Sequence, residues 1–183
     1  MTTILAIDLA SRLSAGFMRG EKTTYEFDSW EKSPIKFAQE IAAAAALADL
    51  IVIEDVPYGI SNQKMVKPVL RMQGIIMAEL AYAGALGRTV FLNPSTWQRA
   101  LGVFGKDKGG THDLAVSLGY TSLDYVEKYA KSLEGLKGKD RSRVRAQLKK
   151  LSTDYDDAFL IEHWARKNFI GIRYITGVQE PSI

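Results

Sequence analysis

Ile4-Leu5-Ala6-Ile7-Asp8-Leu9-Ala10-Ser11 runs four apolar residues into one acid and then into small residues. A short unbroken apolar run is the pattern of a strand covered on both faces. An acid at its carboxyl end is either a strand terminus facing water or a ligand at the edge of a sheet, where open α/β sheets place their chemistry. The fold and the function both turn on whether other acids meet Asp8.

Working outward, Ser14–Met18 and Thr23–Phe27 read as strands joined by the turn Arg19-Gly20-Glu21-Lys22. The chain therefore opens as an antiparallel meander. Pro34 starts a helix over Ile35 to Ala48, whose alanines are strong helix formers. Leu50-Ile51-Val52-Ile53 is a second buried strand, and it ends in Glu54-Asp55. A loop from Pro57 to Pro68 leads into a helix over 69–86, with Gly74 inside it. Arg88 to Leu92 is a further buried-type strand, and Asn93-Pro94-Ser95 caps a short helix through Trp97. Helices are predicted over 111–118, 123–133 and 142–151. The last runs over 154–168 with Ser152 or Thr153 as its N-cap, and an extended tail, Ile172 to Ile175, follows. Meander, then alternating α and β, then helices predicts an α/β protein with one mixed sheet covered by helices.

The chain has 183 residues, 46% of them hydrophobic and 25% charged, which fits one domain with a sizeable core. It lacks cysteine, which excludes disulfides and thiolate metal sites and fits a reducing compartment. No apolar run approaches the ~20 residues of a membrane span, and no basic region precedes the first apolar run, so the reading is a soluble, cytoplasmic protein with no membrane partner. The net charge is +3, but Lys137 to Lys150 holds seven basic residues and one acid. That window carries +6 and leaves −3 for the rest, as expected of a contact to a polyanion.

Asp154 and Asp157, three apart at the start of the last predicted helix, share a face. One explanation is that acids in a first helical turn stabilise the helix dipole by about 0.3–1 kcal/mol. The other joins them to the two acids that end buried strands. Converging carboxylates need a cation, and oxygen ligands without His or Cys select Mg²⁺ or Mn²⁺. Two such ions can activate a water and stabilise the leaving oxygen in phosphodiester cleavage. His112 and His163 read as lone histidines, and Trp97 and Trp164 as core.

Asp8 after one apolar strand, Glu54 after another, the Gly-containing helix, Asn93-Pro94-Ser95-Thr96-Trp97, Leu101-Gly102-Val103 and Asp154-x-x-Asp157-Ala158 together resemble the RuvC family, the Holliday junction resolvases of the RNase H-like superfamily. The version here is most similar to diverged RuvC-like enzymes of bacteriophages. The resemblance covers most of 1–118 and 152–168. It implies a five-stranded RNase H-like sheet in a single nuclease domain over 1–183. It implies Asp8, Glu54, Asp154 and Asp157 as catalytic metal ligands holding two Mg²⁺ ions, with Mn²⁺ as substitute. It also implies nicks in four-way junctions that leave a 5′-phosphate, and a homodimer that matches the two-fold symmetry of its substrate. Helix 69–86, with its Met/Ile/Ala face, is the expected dimer surface.

The sequence departs from the family in three places. The family's aromatic shortly after the second acid is matched only by Tyr58, after Pro57. Its catalytic-loop lysine is matched only by the nearby Lys106 and Lys108. Residues 119–151 form a basic, helical insertion. Tyr58, Lys106, Lys108, Lys137, Lys139, Arg141, Arg143, Arg145, Lys149 and Lys150 are therefore the expected DNA contacts, with Arg12 and Arg71 as weaker phosphate candidates. Two other functions fit the strand-to-acid pattern. One is an actin-like or sugar-kinase-like ATPase, which needs glycine loops that grip phosphate. The other is a DNA-binding protein of the same fold without catalysis.

Overall fold

The computed structural model describes residues 2–9, 14–19, 23–27, 33–56, 63–105, 108–120, 135 and 137–169. Five strands, β1 (Ile4–Asp8), β2 (Ser14–Met18), β3 (Thr23–Phe27), β4 (Leu50–Glu54) and β5 (Thr89–Leu92), form one sheet in the order β3-β2-β1-β4-β5. β1 pairs antiparallel with β2 and parallel with β4, so the sheet changes from meander to parallel at its central strand.

Side-chain alternation along β1 and β4 sorts the core into two layers. Leu5, Ile7, Ile51 and Ile53 pack under α1 (Pro34–Ala45) and α2 (Gln63–Tyr82). Ile4, Ala6, Leu50 and Val52 pack on the opposite side against α5 (Gly138–Phe169), joined by Trp97 of α3 (Pro94–Ala100) and Ala115 of α4 (Lys108–Ser117). Because both faces are covered, every residue of β1 is buried, which is why its sequence is an unbroken apolar run. Each fully buried Ile or Leu there contributes about 1.5–3 kcal/mol. β5 closes the parallel edge and is only partly buried, less than its composition predicts.

Two helices differ from expectation. α2 begins at Gln63 rather than after Pro68, so Pro68 lies inside it. At the sixth helical position the proline forfeits one backbone bond near an end where four donors lack partners anyway. The predicted helices over 142–151 and 154–168 are one continuous helix of 32 residues, α5. Ser152 and Thr153 do not cap it. Neither is a glycine or a proline, so nothing interrupts the backbone ladder. Asp154 and Asp157 thus sit in the middle of a helix, where the dipole explanation for them does not apply. The predicted helix 123–133 and the tail Ile172 to Ile175 lie outside the described residues.

The C-terminal half of α5 packs across β1 and β2. Phe17, Tyr120 and Phe159 form an aromatic cluster there, with ring centroids 4.9–5.9 Å apart. Beside it Glu162 is fully buried. It accepts from Arg19 Nε at 3.0 Å and from Arg166 Nε at 2.7 Å, tying β2 to α5. Arg166 also donates to the Thr2 carbonyl at 3.1 Å. Among the described residues no helix is long and apolar enough to cross a membrane.

Candidate active site

The pairing of β1 with β4 matches Ile4 to Leu50 and Ile7 to Ile53, a constant offset of 46 that brings Asp8 beside Glu54. The two-residue alternation turns both carboxylates to the side covered by α5, because Asp8 follows Ile4 and Ala6, and Glu54 follows Leu50 and Val52. On α5, the row Asp154, Asp157, Ala158, Ile161 and Ala165 lies along one face. Its apolar members are buried in the core on that side of the sheet. The helix therefore sets its two acids down over the ends of the central strands.

Electrostatics place the four acids together. The Asp8 carboxyl is held well above its ordinary range, first by burial, then by the charges of Glu54 and Asp157, by a hydrogen bond with Glu54 and by the charge of Asp154. Asp8 (5% exposed) and Asp154 (3%) are buried, and Glu54 and Asp157 are half-buried. All four donors are hard oxygens, which suits Mg²⁺ or Mn²⁺. The geometry is less complete than the donor set. Among the described residues no three acidic or histidine side chains form a ready-made cage for an ion. The raised Asp8 carboxyl reflects a crowding of like charges that a bound cation would relieve.

Two neighbours refine this picture. Trp97, fully buried on α3, donates its indole N–H to Glu54 Oε1 at 3.0 Å. α3 is itself fixed by Asn93, whose Oδ1 accepts from the Ser95 backbone N–H at 2.9 Å and the Ser95 hydroxyl at 2.8 Å. The composition of the chain marks Trp97 only as apolar bulk, although an indole buried against a strand end needs a partner for its N–H. Asp55, next to Glu54, is occupied elsewhere: its Oδ1 accepts from the Val56 N–H at 2.8 Å and from Gln73 Nε2 at 3.0 Å.

No family model matches this chain, and neither does any curated protein. Among solved structures, Thermus thermophilus RuvC in complex with a Holliday junction substrate superposes over 92% of this chain and 96% of its own, with a TM-score of 0.51 at 10% identity. The chain has the RuvC fold. A second Thermus thermophilus RuvC structure covers 93% of this chain and 97% of its own, with a TM-score of 0.48 at 11% identity.

Around the acids of this RuvC fold, the remaining expected residues are distributed unevenly. His112 is not a lone histidine. With the proton on Nδ1 it donates to Asp156 Oδ2 at 2.9 Å. Burial pushes the Asp156 carboxyl up, and the bond and charge of His112 pull it back. His163 packs over the Phe159 ring near Arg19, Lys167 and Glu162. Lys137 and Lys139 are exposed at the start of α5, and Arg71 is exposed on α2. Arg141, Arg143, Arg145, Lys149 and Lys150 are carried on the backbone of α5, and Lys108 on that of α4, with side chains outside the described ones. Tyr58, Lys106 and Arg12 lie outside the described residues.

Proposed function

We propose that this chain is a metal-dependent endonuclease that recognises branched DNA, four-way junctions above all, and resolves it by paired nicks. The observation that carries this reading is the interaction of Asp8 with Glu54, Asp154 and Asp157, delivered by three separate elements of a RuvC fold. In this reading the four carboxylates hold two Mg²⁺ ions, with Mn²⁺ able to replace them. When bound, the ions supply an activated water and stabilise the leaving oxygen of the phosphodiester. Asp8 interacts with each of the other three acids, which supports its serving both ions in this reading. Trp97 orients Glu54 through its indole N–H. Burial of Asp8 and Asp154 keeps water from weakening their hold on charge.

The basic first half of α5, with Lys137, Lys139, Arg141, Arg143, Arg145, Lys149 and Lys150, is the proposed grip on phosphates. Tyr58 and the Lys106–Lys108 loop are further proposed contacts. Met72, Ile76 and Leu80 of α2 are buried in the core, so that face is not a dimer surface, and a homodimer is proposed instead through the outer face of α2. Leu70 (50% exposed), Met77 (41%) and Tyr82 (94%) are unburied there, and a Cβ built on Gly74 meets nothing within 4 Å. Packing among the described residues therefore does not require the glycine, and it leaves room for close approach by a second copy. Nothing favours the ATPase alternative. Asp107-Lys108-Gly109-Gly110 is the stretch that resembles the Asp-x-Gly of such phosphate loops, and its Gly109 and Gly110 belong to the first turn of α4 rather than to a loop after a strand.

The test is an assay of a four-way junction, a flap and a plain duplex with Mg²⁺. Symmetric paired nicks in the junction are the expected result. Equal cutting of all three substrates would remove the junction selectivity, and ATP hydrolysis without DNA cutting would replace the nuclease reading altogether.

A further inference from the structure

Phe104 projects from the turn that closes α3, and 51% of it is exposed. Its position is fixed by the backbone. The Gly102 N–H donates to the Arg99 carbonyl at 3.1 Å and the Val103 N–H to the Gln98 carbonyl at 2.8 Å, the two bonds of a Schellman motif. Gly102 takes the left-handed conformation this turn needs, with φ +70°, and Gly105 (φ +74°) turns the chain again directly after the ring. Val103, buried at 4%, anchors the turn, and the Phe104 N–H donates to the Gln98 carbonyl at 3.1 Å. Gln98 follows Trp97, the residue bonded to Glu54. Two hydrogen bonds, with Trp97 and Gln98 between them, thus connect the Glu54 carboxylate to the backbone of Phe104.

The surroundings of the ring narrow what it can receive. The Arg99 guanidinium carbon lies 4.5 Å from the ring centroid and backs one face. A cation at that distance polarises the ring and stays available to an anion at its edge. One phenyl ring with one guanidinium, flanked by glycines, matches the area of a single flat group and falls far short of a protein interface. The group that is flat, aromatic and joined to an anion is a nucleotide. We infer that Phe104, backed by Arg99, is a stacking platform for an unpaired nucleobase of the branched DNA, on the turn that closes the helix carrying Trp97. This assignment rests on the nuclease reading above. Stacking on a side chain accepts any base, so the platform would sense interrupted pairing rather than sequence.

The experiment uses the full-length protein and a four-way junction carrying 2-aminopurine at the branch, with Ca²⁺ replacing Mg²⁺ to prevent cutting. Wild-type protein is expected to quench the probe on binding. Phe104→Ala and Phe104→Leu are expected to lose the quench and to bind about 5- to 100-fold more weakly, and Phe104→Trp to keep both properties. The salt dependence of Phe104→Ala should match that of wild type, because the substitution removes no cation. Melting temperatures show whether each variant folds, which the exposure of the ring favours. Wild-type affinity and quenching in Phe104→Ala, or full retention by Phe104→Leu, would overturn the stacking role while leaving the nuclease reading intact. A wild-type protein that neither binds nor cuts branched DNA would overturn both.

Discussion

Trp97 Nε1 donates to Glu54 Oε1 at 3.0 Å, so one residue both fills the core beside β5 and aims an acid of the cluster. Trp97→Phe keeps most of the apolar volume and removes the donor. It should raise the Mg²⁺ concentration needed for half-maximal cleavage, or lower the rate, by about 10- to 100-fold. A metal titration of junction cleavage checks this. Unaltered metal dependence would make Trp97 a core residue alone.

Asp8 is buried among three other acids, so its charge opposes folding when no cation is present. Asp8→Asn should therefore melt higher than wild type in a chelator, by at least about 2 °C. Saturating Mg²⁺ should stabilise wild type by roughly 2–3 kcal/mol at about 100 times its dissociation constant and leave Asp8→Asn unmoved. The variant should bind junctions in Ca²⁺ without cutting them in Mg²⁺. A full Mg²⁺-dependent shift in Asp8→Asn would take Asp8 out of the metal site.

These two residues mark how far the sequence could be read. Asp8 and Glu54 were legible because a strand exposes its logic locally: an apolar run, a period of two, an acid where the run stops. The bond from Trp97 to Glu54 was not, because 43 residues separate them and an indole in a sequence signals bulk before it signals a donor. The same holds for His112 and Asp156, 44 residues apart. Ser152-Thr153 misled for a different reason. They favour caps when a helix begins, yet packing of the face that holds Ala158 and Ile161 carries the helix straight through them.

His163 supplies the pH test. Burial lowers its pKa from the ordinary histidine value of 6.5, and the charges of Lys167 and Arg19 lower it further while Glu162 opposes them. Its Nε2 is buried with no hydrogen-bond partner among the described residues. A folded-state pKa below the unfolded one means that the unfolded chain takes the proton first. The stability this group brings is complete above pH 6.5 and is lost as pH falls through the depressed folded value. His163→Phe removes the titration, so its melting temperature relative to wild type should climb between about pH 8 and about pH 5. A constant difference across that range would contradict the assignment.

The basic half of α5 should act through counterions. Replacing Arg141, Arg143 and Arg145 with Ala should weaken junction binding and lower the slope of log affinity against log salt by about 0.9 for each phosphate no longer neutralised. Fluorescence anisotropy over a salt series measures this. An unchanged slope would reduce the segment to solvated surface.

The unbroken course of α5 makes it a ruler. Arg143 and Asp154 stand eleven positions apart on the same helix, so their backbone positions are held about 16 Å apart along its axis, in a fixed rotational phase, and the proposed phosphate grip would inherit that span. One residue inserted between Lys150 and Asp154 would swing the basic segment by about 100° around the axis, and seven would nearly restore its phase at a span about 10 Å longer. Reach and phase in this protein are thus separable quantities, both written in the number of residues between two charges.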